Sequence, residues 1–178
     1  LLTQTGTGPV RVQVQVAGFE PGESQHGIHF HMVGACAPNF LAAGEHFNPT
    51  AMQHGLNNPN GPHAGDLPNM TFGADGSGKF DANTELITLG QGANSIFDAD
   101  GTALIIHAGM DDQVTDPAGN SGDRIACGVL VKGNGAEGAP GRVAPSSPAS
   151  RRIWRARGWS SGCRTHTAGC RPFGTGSV

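Results

Sequence analysis

Six histidines and one aspartate, His29, His31, His46, His54, His63, Asp66 and His107, are the residues of this chain best suited to binding metal ions. His29 and His31 stand two apart in the string HGIHFH, so on an extended strand both imidazoles project from one face and can meet one ion. Alone, an H-x-H pair is weak evidence of a metal site. The other candidates are concentrated as well, and only His26 and His166 stay unassigned. His26 has the opposite parity to His29 and His31, and is read as a histidine hydrogen-bonded within the fold. Seven ligands fall one short of two four-coordinate sites, but one imidazole bridging two ions would close the count. Four imidazoles suit Cu(II) in a tetragonal field, and three imidazoles with a carboxylate suit tetrahedral zinc.

The elements that must position these residues read as short strands. Val10, Val12, Val14 and Val16 alternate with Arg11, Gln13 and Gln15, the period of a half-buried strand. Further strands are expected over 26–33, 69–73, 84–89, 102–107 and 125–131, separated by glycine, asparagine and proline. Residues 34–68 have neither period and hold four of the candidate ligands, so the segment is read as a functional loop ordered by a bound ion. A second irregular stretch, 108–124, is read as a functional loop too.

The chain of 178 residues fits one domain with a core of its own. With 29 glycines, 12 prolines and no tyrosine, a turn-rich all-β protein is favoured over a helical bundle. Residues 1–133 carry four cations against thirteen carboxylates, a net −9, which argues against nucleic-acid binding by this body. Residues 134–178 hold seven arginines against Glu137 alone, amid Pro, Gly, Ser and Ala, and are expected to be a disordered tail. The tail also has the look of a GC-rich gene read out of frame. No apolar run approaches a membrane span, and no signal peptide is visible.

The strings HGIHFH (26–31), GEHFNP (44–49), HG (54–55), HAGDLPN (63–69), DADGTALIIHAG (98–109) and GDRIACGV (122–129) resemble, in order, the motifs of the copper/zinc superoxide dismutases. The resemblance covers about residues 3–132. It implies a Greek-key β-barrel or flattened immunoglobulin-like sandwich with two long functional loops, an architecture under which general fold rules already place this family. It makes His29, His31, His46 and His107 copper ligands, and His46, His54, His63 and Asp66 zinc ligands, with His46 as the bridge. Asp111 matches the aspartate that links a copper histidine to a zinc histidine, here His29 and His54. Cys36 and Cys127 match the family's disulfide, and Arg124 matches the arginine that attracts the anion beside copper. Without the flanking motif, Arg124 would read as a surface charge. Cys163 and Cys170 receive no role.

The activity so implied is dismutation of superoxide to dioxygen and hydrogen peroxide by copper cycling between two oxidation states. Superoxide is then the substrate, with a homodimer and a copper donor protein left open as partners. The loop from Asp111 to Gly122 lacks lysine and resembles the bacterial branch, which places the protein in the periplasm or outside the cell, as a disulfide would also suggest. Relative to the family pattern the first strand is missing, which would expose a sheet edge, and the tail has no counterpart. The rival readings are a copper or zinc storage and delivery domain, and a β-sandwich that metals merely staple.

Overall fold

Val10, Val12, Val14 and Val16 turn inward and Arg11 and Gln15 outward, as their alternation requires. The computed structural model describes residues 1–133 and 142–145. Its strands are β1 (Leu2–Gln4), β2 (Val10–Val16), β3 (Ser24–His26), β4 (Ile28–His31), β5 (Met70–Phe72), β6 (Gly78–Thr84), β7 (Ala103–His107), β8 (Arg124–Val131) and β9 (Arg142–Pro145). They form two antiparallel sheets, ordered β1-β2-β6-β5-β3 and β4-β7-β8-β9. Among the described residues the sheets do not close into a barrel, so of the two expected architectures the sandwich is the one formed. The side chains of Val12, Phe30, Phe72, Leu104, Ile106 and Leu130 fill the core.

Two strand expectations need correction. The segment expected as one strand over 26–33 divides at Gly27, where the chain leaves one sheet for the other. A strand expected over 84–89 ends where it was meant to begin: β6 occupies Gly78–Thr84, with Phe80 and Thr84 inward and Lys79 and Asp81 outward. The more apolar Leu86, Ile87 and Leu89 pack on the core from a loop instead. Within the segment expected to be a tail, Arg142–Pro145 pairs with β8 from Gly128 to Val131. Residues 134–141 and 146–178, with His166, Cys163 and Cys170, lie outside the described residues. Among those described, no helix is long and apolar enough to cross a membrane.

The site is carried by β4, β7 and β8. Ile28 and Phe30 of β4 face the main core, while His29 and His31 face the opposite side, where loops bury them completely. His29 pairs with Ile105, and the register shifts between Ile106 and His107, an irregularity of the kind that re-aims a side chain. The loop 34–68 lies along the free edge of β4 by backbone bonds: Phe30 N–H donates to Gly65 O (2.9 Å), Phe47 N–H to Phe30 O (2.8 Å) and Met32 N–H to Glu45 O (2.9 Å). Its start is stapled by a disulfide from Cys36 to Cys127 on β8, beside Ala43, Ala103 and Ile105.

That bond joins residues 91 positions apart. Loop-closure entropy sets its ceiling at about 4–5 kcal/mol. Cys36→Ala/Cys127→Ala is expected to lose about 2–4 kcal/mol, read from the urea midpoint of the metal-loaded protein. A loss under about 1 kcal/mol would mean that the backbone bonds to β4 hold the loop unaided.

Candidate metal centre

All seven ligand candidates converge, and they fall into two groups that share His46. The ligand atoms of His29, His31, His46 and His107 lie within 4.8 Å of one another, as do those of His46, His54, His63 and Asp66. All seven residues are buried.

In the first group the inward nitrogens, His29 Nδ1, His31 Nε2, His46 Nε2 and His107 Nε2, are buried without a hydrogen-bond partner. Buried polar atoms are seldom left so, and four in one place need a common acceptor of their lone pairs. The outward nitrogens of three are engaged: His29 Nε2–H donates to Asp111 Oδ2 (2.6 Å), His31 Nδ1–H to Gly44 O (2.9 Å) and His107 Nδ1–H to Gly122 O (3.0 Å). Those acceptors fix the proton on the outer nitrogen and leave a lone pair on the inner one. Burial reinforces this, lowering His29 to about 3, His31 to about 2 and His107 to about 4, so all three are neutral at pH 7. Burial lowers His46 as well, and four imidazoles kept from protonation around one point fit a copper ion.

The second group has the dimensions of a tetrahedral shell. Asp66 Oδ1 lies 3.0 Å from His46 Nδ1, 3.0 Å from His54 Nδ1 and 3.5 Å from His63 Nδ1, and His46 Nδ1 lies 3.4 Å from His63 Nδ1. A tetrahedron with ligand bonds of about 2.0–2.1 Å has edges of about 3.3 Å, so these spacings fit zinc. Asp66 Oδ2 accepts from the N–H groups of Gly55 (2.8 Å) and His63 (2.9 Å), which fixes the carboxylate.

Asp111 ties the groups together: Oδ2 accepts from His29, and Oδ1 from His54 Nε2 at 3.0 Å. Its approach depends on glycine. A Cβ at Gly27 would lie 3.2 Å from Asp111 Cβ and 2.9 Å from Ser121 Cβ, and one at Gly119, at φ +61°, would lie 1.8 Å from Asp111 Oδ1. Against the downward pull of burial, hydrogen bonds to Asp111 and Asp66 push His54 up to about 9, which displays the need of these buried carboxylates for positive charge. Both carboxyls are held well below their usual range, against burial, by the histidines around them.

Arg124 lies opposite His107 in the β7–β8 ladder, half-buried, and donates from Nη1 to Phe40 O (2.9 Å). Its charge is felt at His31 and His107. His26 makes the structural bonds expected of it, to His107 O (2.7 Å) and Ser24 Oγ (2.9 Å). Sequence reasoning missed Asn69, whose side chain donates to Asp111 O (2.7 Å) and accepts from Asp111 N–H (2.8 Å). It closes the HAGDLPN string, so the signal was present. It also missed the carbonyls of Gly44 and Gly122, because a backbone acceptor leaves no mark on residue type.

The family model described as copper/zinc superoxide dismutase matches residues 1–130. A copper/zinc superoxide dismutase of Aquifex aeolicus is 44% identical over 131 residues, covering 72% of this chain and 76% of the relative. One from Caulobacter vibrioides is 39% identical over 125 residues, 68% of this chain and 71% of the relative. The crystal structure of a superoxide dismutase-like protein from Bacillus subtilis superposes with a TM-score of 0.68 at 40% identity, covering 73% of this chain and 87% of that one. By the family match, these relatives and two histidine groups fitted to copper and zinc, the chain belongs to the copper/zinc superoxide dismutase family.

Proposed function

We propose that the protein dismutates superoxide to dioxygen and hydrogen peroxide, with copper held by His29, His31, His46 and His107 and zinc by His46, His54, His63 and Asp66. The observation that carries this reading is His46 itself: Nε2 faces the three other imidazoles of the first group without a partner, and Nδ1 faces Asp66 and His63. One ring with a nitrogen in each group is what a bridged pair of ions requires. Bound copper would supply one-electron exchange, taking an electron from one superoxide and giving one to the next.

The chain's own residues would do the rest. Asp111 and the carbonyls of Gly44 and Gly122 hold three imidazoles in one tautomer, so the site needs little rearrangement between half-reactions. When His46 Nε2 is not serving as a ligand, its lone pair can hold a proton for the departing peroxide, while Nδ1 stays on the zinc side. Arg124 supplies positive charge beside His31 and His107, where a small anion would approach. The disulfide favours an extracytoplasmic location.

If His46 bridges, His46→Ala should leave two weaker and independent sites. In the parent, withdrawing zinc should alter the copper spectrum; in the variant it should not. An equally strong response in both proteins would remove His46 as the link.

Arg124→Leu should lower kcat/KM about tenfold or more with metal content unchanged, equivalent to roughly 1.4 kcal/mol. The body's net −9 repels an anion at a distance, so local charge must supply the attraction. Salt should therefore slow the parent and slow the leucine variant less, because exposed charges are screened beyond about 10 Å at 0.1 M. Equal rates and salt slopes would make Arg124 a surface charge only. A parent that holds both metals yet leaves superoxide decay at the uncatalysed rate would instead be a storage domain.

A further inference from the structure

Beside the zinc-side histidines opens a pocket of about 320 Å³, whose lining includes Met32, Met52, Glu45, Asp116, His46 and His63. Its composition does not suit an anion, since no lysine or arginine lines it and two carboxylates do. Nor do its methionines serve the core. Met32 and Met52 are 46% and 41% exposed, whereas Met70 is fully buried between the sheets.

Both methionines are placed by their surroundings. Asn48 clasps the backbone of Met52, donating from Nδ2 to Met52 O (2.8 Å) and accepting at Oδ1 from Met52 N–H (3.0 Å). Met32 follows His31 directly, and its side chain folds back over Gly44: a Cβ there would lie 2.8 Å from Met32 Cγ and 3.4 Å from its Sδ. The Gly44 carbonyl is the one that holds His31 Nδ1–H. One thioether thus rests on the outer wall of the four-imidazole group, and the other shares its pocket with His46, the ring common to both groups.

We propose that this pocket is a docking site for cuprous ion, in which the Met32 and Met52 thioethers hold Cu(I) before it passes to the four-imidazole group. Thioethers are soft, uncharged ligands that select Cu(I) over zinc and over harder divalent ions. Glu45 and Asp116 raise the local concentration of cations without being strong ligands for a soft one. Two weak ligands suit a station from which an ion must leave again. The inference rests on the copper reading of the His29, His31, His46 and His107 group, but neither of its tests depends on superoxide turnover.

The first test is a titration of the fully metallated, reduced protein, labelled at its methionine methyl groups, with Ag(I) as a diamagnetic stand-in for Cu(I). The Met32 and Met52 signals should shift together with the first equivalent, while exposed Met110 and buried Met70 stay in place. A Met110 shift of equal size would mean adventitious thioether binding, and that result or no shift at all overturns the site. The second test is refilling of zinc-loaded, copper-free protein from a coloured Cu(I) chelate. Leucine preserves methionine's bulk, so Met32→Leu/Met52→Leu should slow Cu(I) uptake about fivefold or more while final copper content and Cu(II) uptake stay unchanged. Unchanged Cu(I) uptake, or equal slowing for both oxidation states, overturns the loading role.

Discussion

Two carboxylates buried among histidines set the terms for this structure. Asp66 and Asp111 are each 1% exposed, and neither has a lysine or arginine partner among the described residues. A charge removed from water is tolerable only where an opposite charge or a dense set of hydrogen bonds replaces the lost hydration. Here the compensation is shared between N–H groups and positive charge arriving with a proton or a metal ion. His54 stands between the two carboxylates, and against the downward pull of burial its hydrogen bonds to both favour its protonated form. Metal binding and folding would therefore be coupled: ions held by Asp66 and by the four-imidazole group would stabilise the arrangement that brings those side chains together.

That coupling explains how a segment without helix or strand period can be ordered. The loop 34–68 has an anchor at each end, the disulfide at Cys36 and the Asp66 carboxylate that accepts from Gly55 and His63. Between them its backbone bonds to β4 from Glu45, Phe47 and Gly65. The same bonds cover an edge that would otherwise invite pairing with another chain. His46 and Asp66 thus meet His31 and His29 across short bridges, so loop ligands acquire nearly the precision of strand ligands.

Much of this site could be read from residue types because metal ligation draws on few of them. Histidine is scarce enough that its concentration over 29–107 is informative, and strand parity alone separates His26 from His29 and His31. The failures have a common cause in tertiary context. β6 has Asp81 and Asn83 on its exposed side and little β-branched character, so its sequence is a weak strand signal; pairing with β2 along its whole length makes it one. Leu86, Ile87 and Leu89 carry the stronger local signal and are loop residues, because apolar side chains can reach the core without a strand. Composition likewise concealed Arg142–Pro145, which becomes a strand because β8 offers its free edge. The backbone acceptors at Gly44 and Gly122 belong to the same class, being defined by fold and not by side chain.

Net charge poses a last constraint. A protein body at −9 gathers cations and repels anions, yet the proposed chemistry needs a cation bound once and an anion admitted at every turnover. These demands conflict if both use one approach with one potential. The charged residues around the centre offer a resolution by segregation. Arg124 acts at His31 and His107, on the side of the four-imidazole group, while Glu45 and Asp116 line the opening beside His46 and His63. Glu45 lies near enough to Arg124 to influence it, so the boundary between positive and negative potential falls close to the centre. Within about a Debye length such a boundary survives physiological salt, whereas the far field of the body does not. Selectivity between loading and turnover can then arise from which side of His46 an ion meets first, without a moving gate.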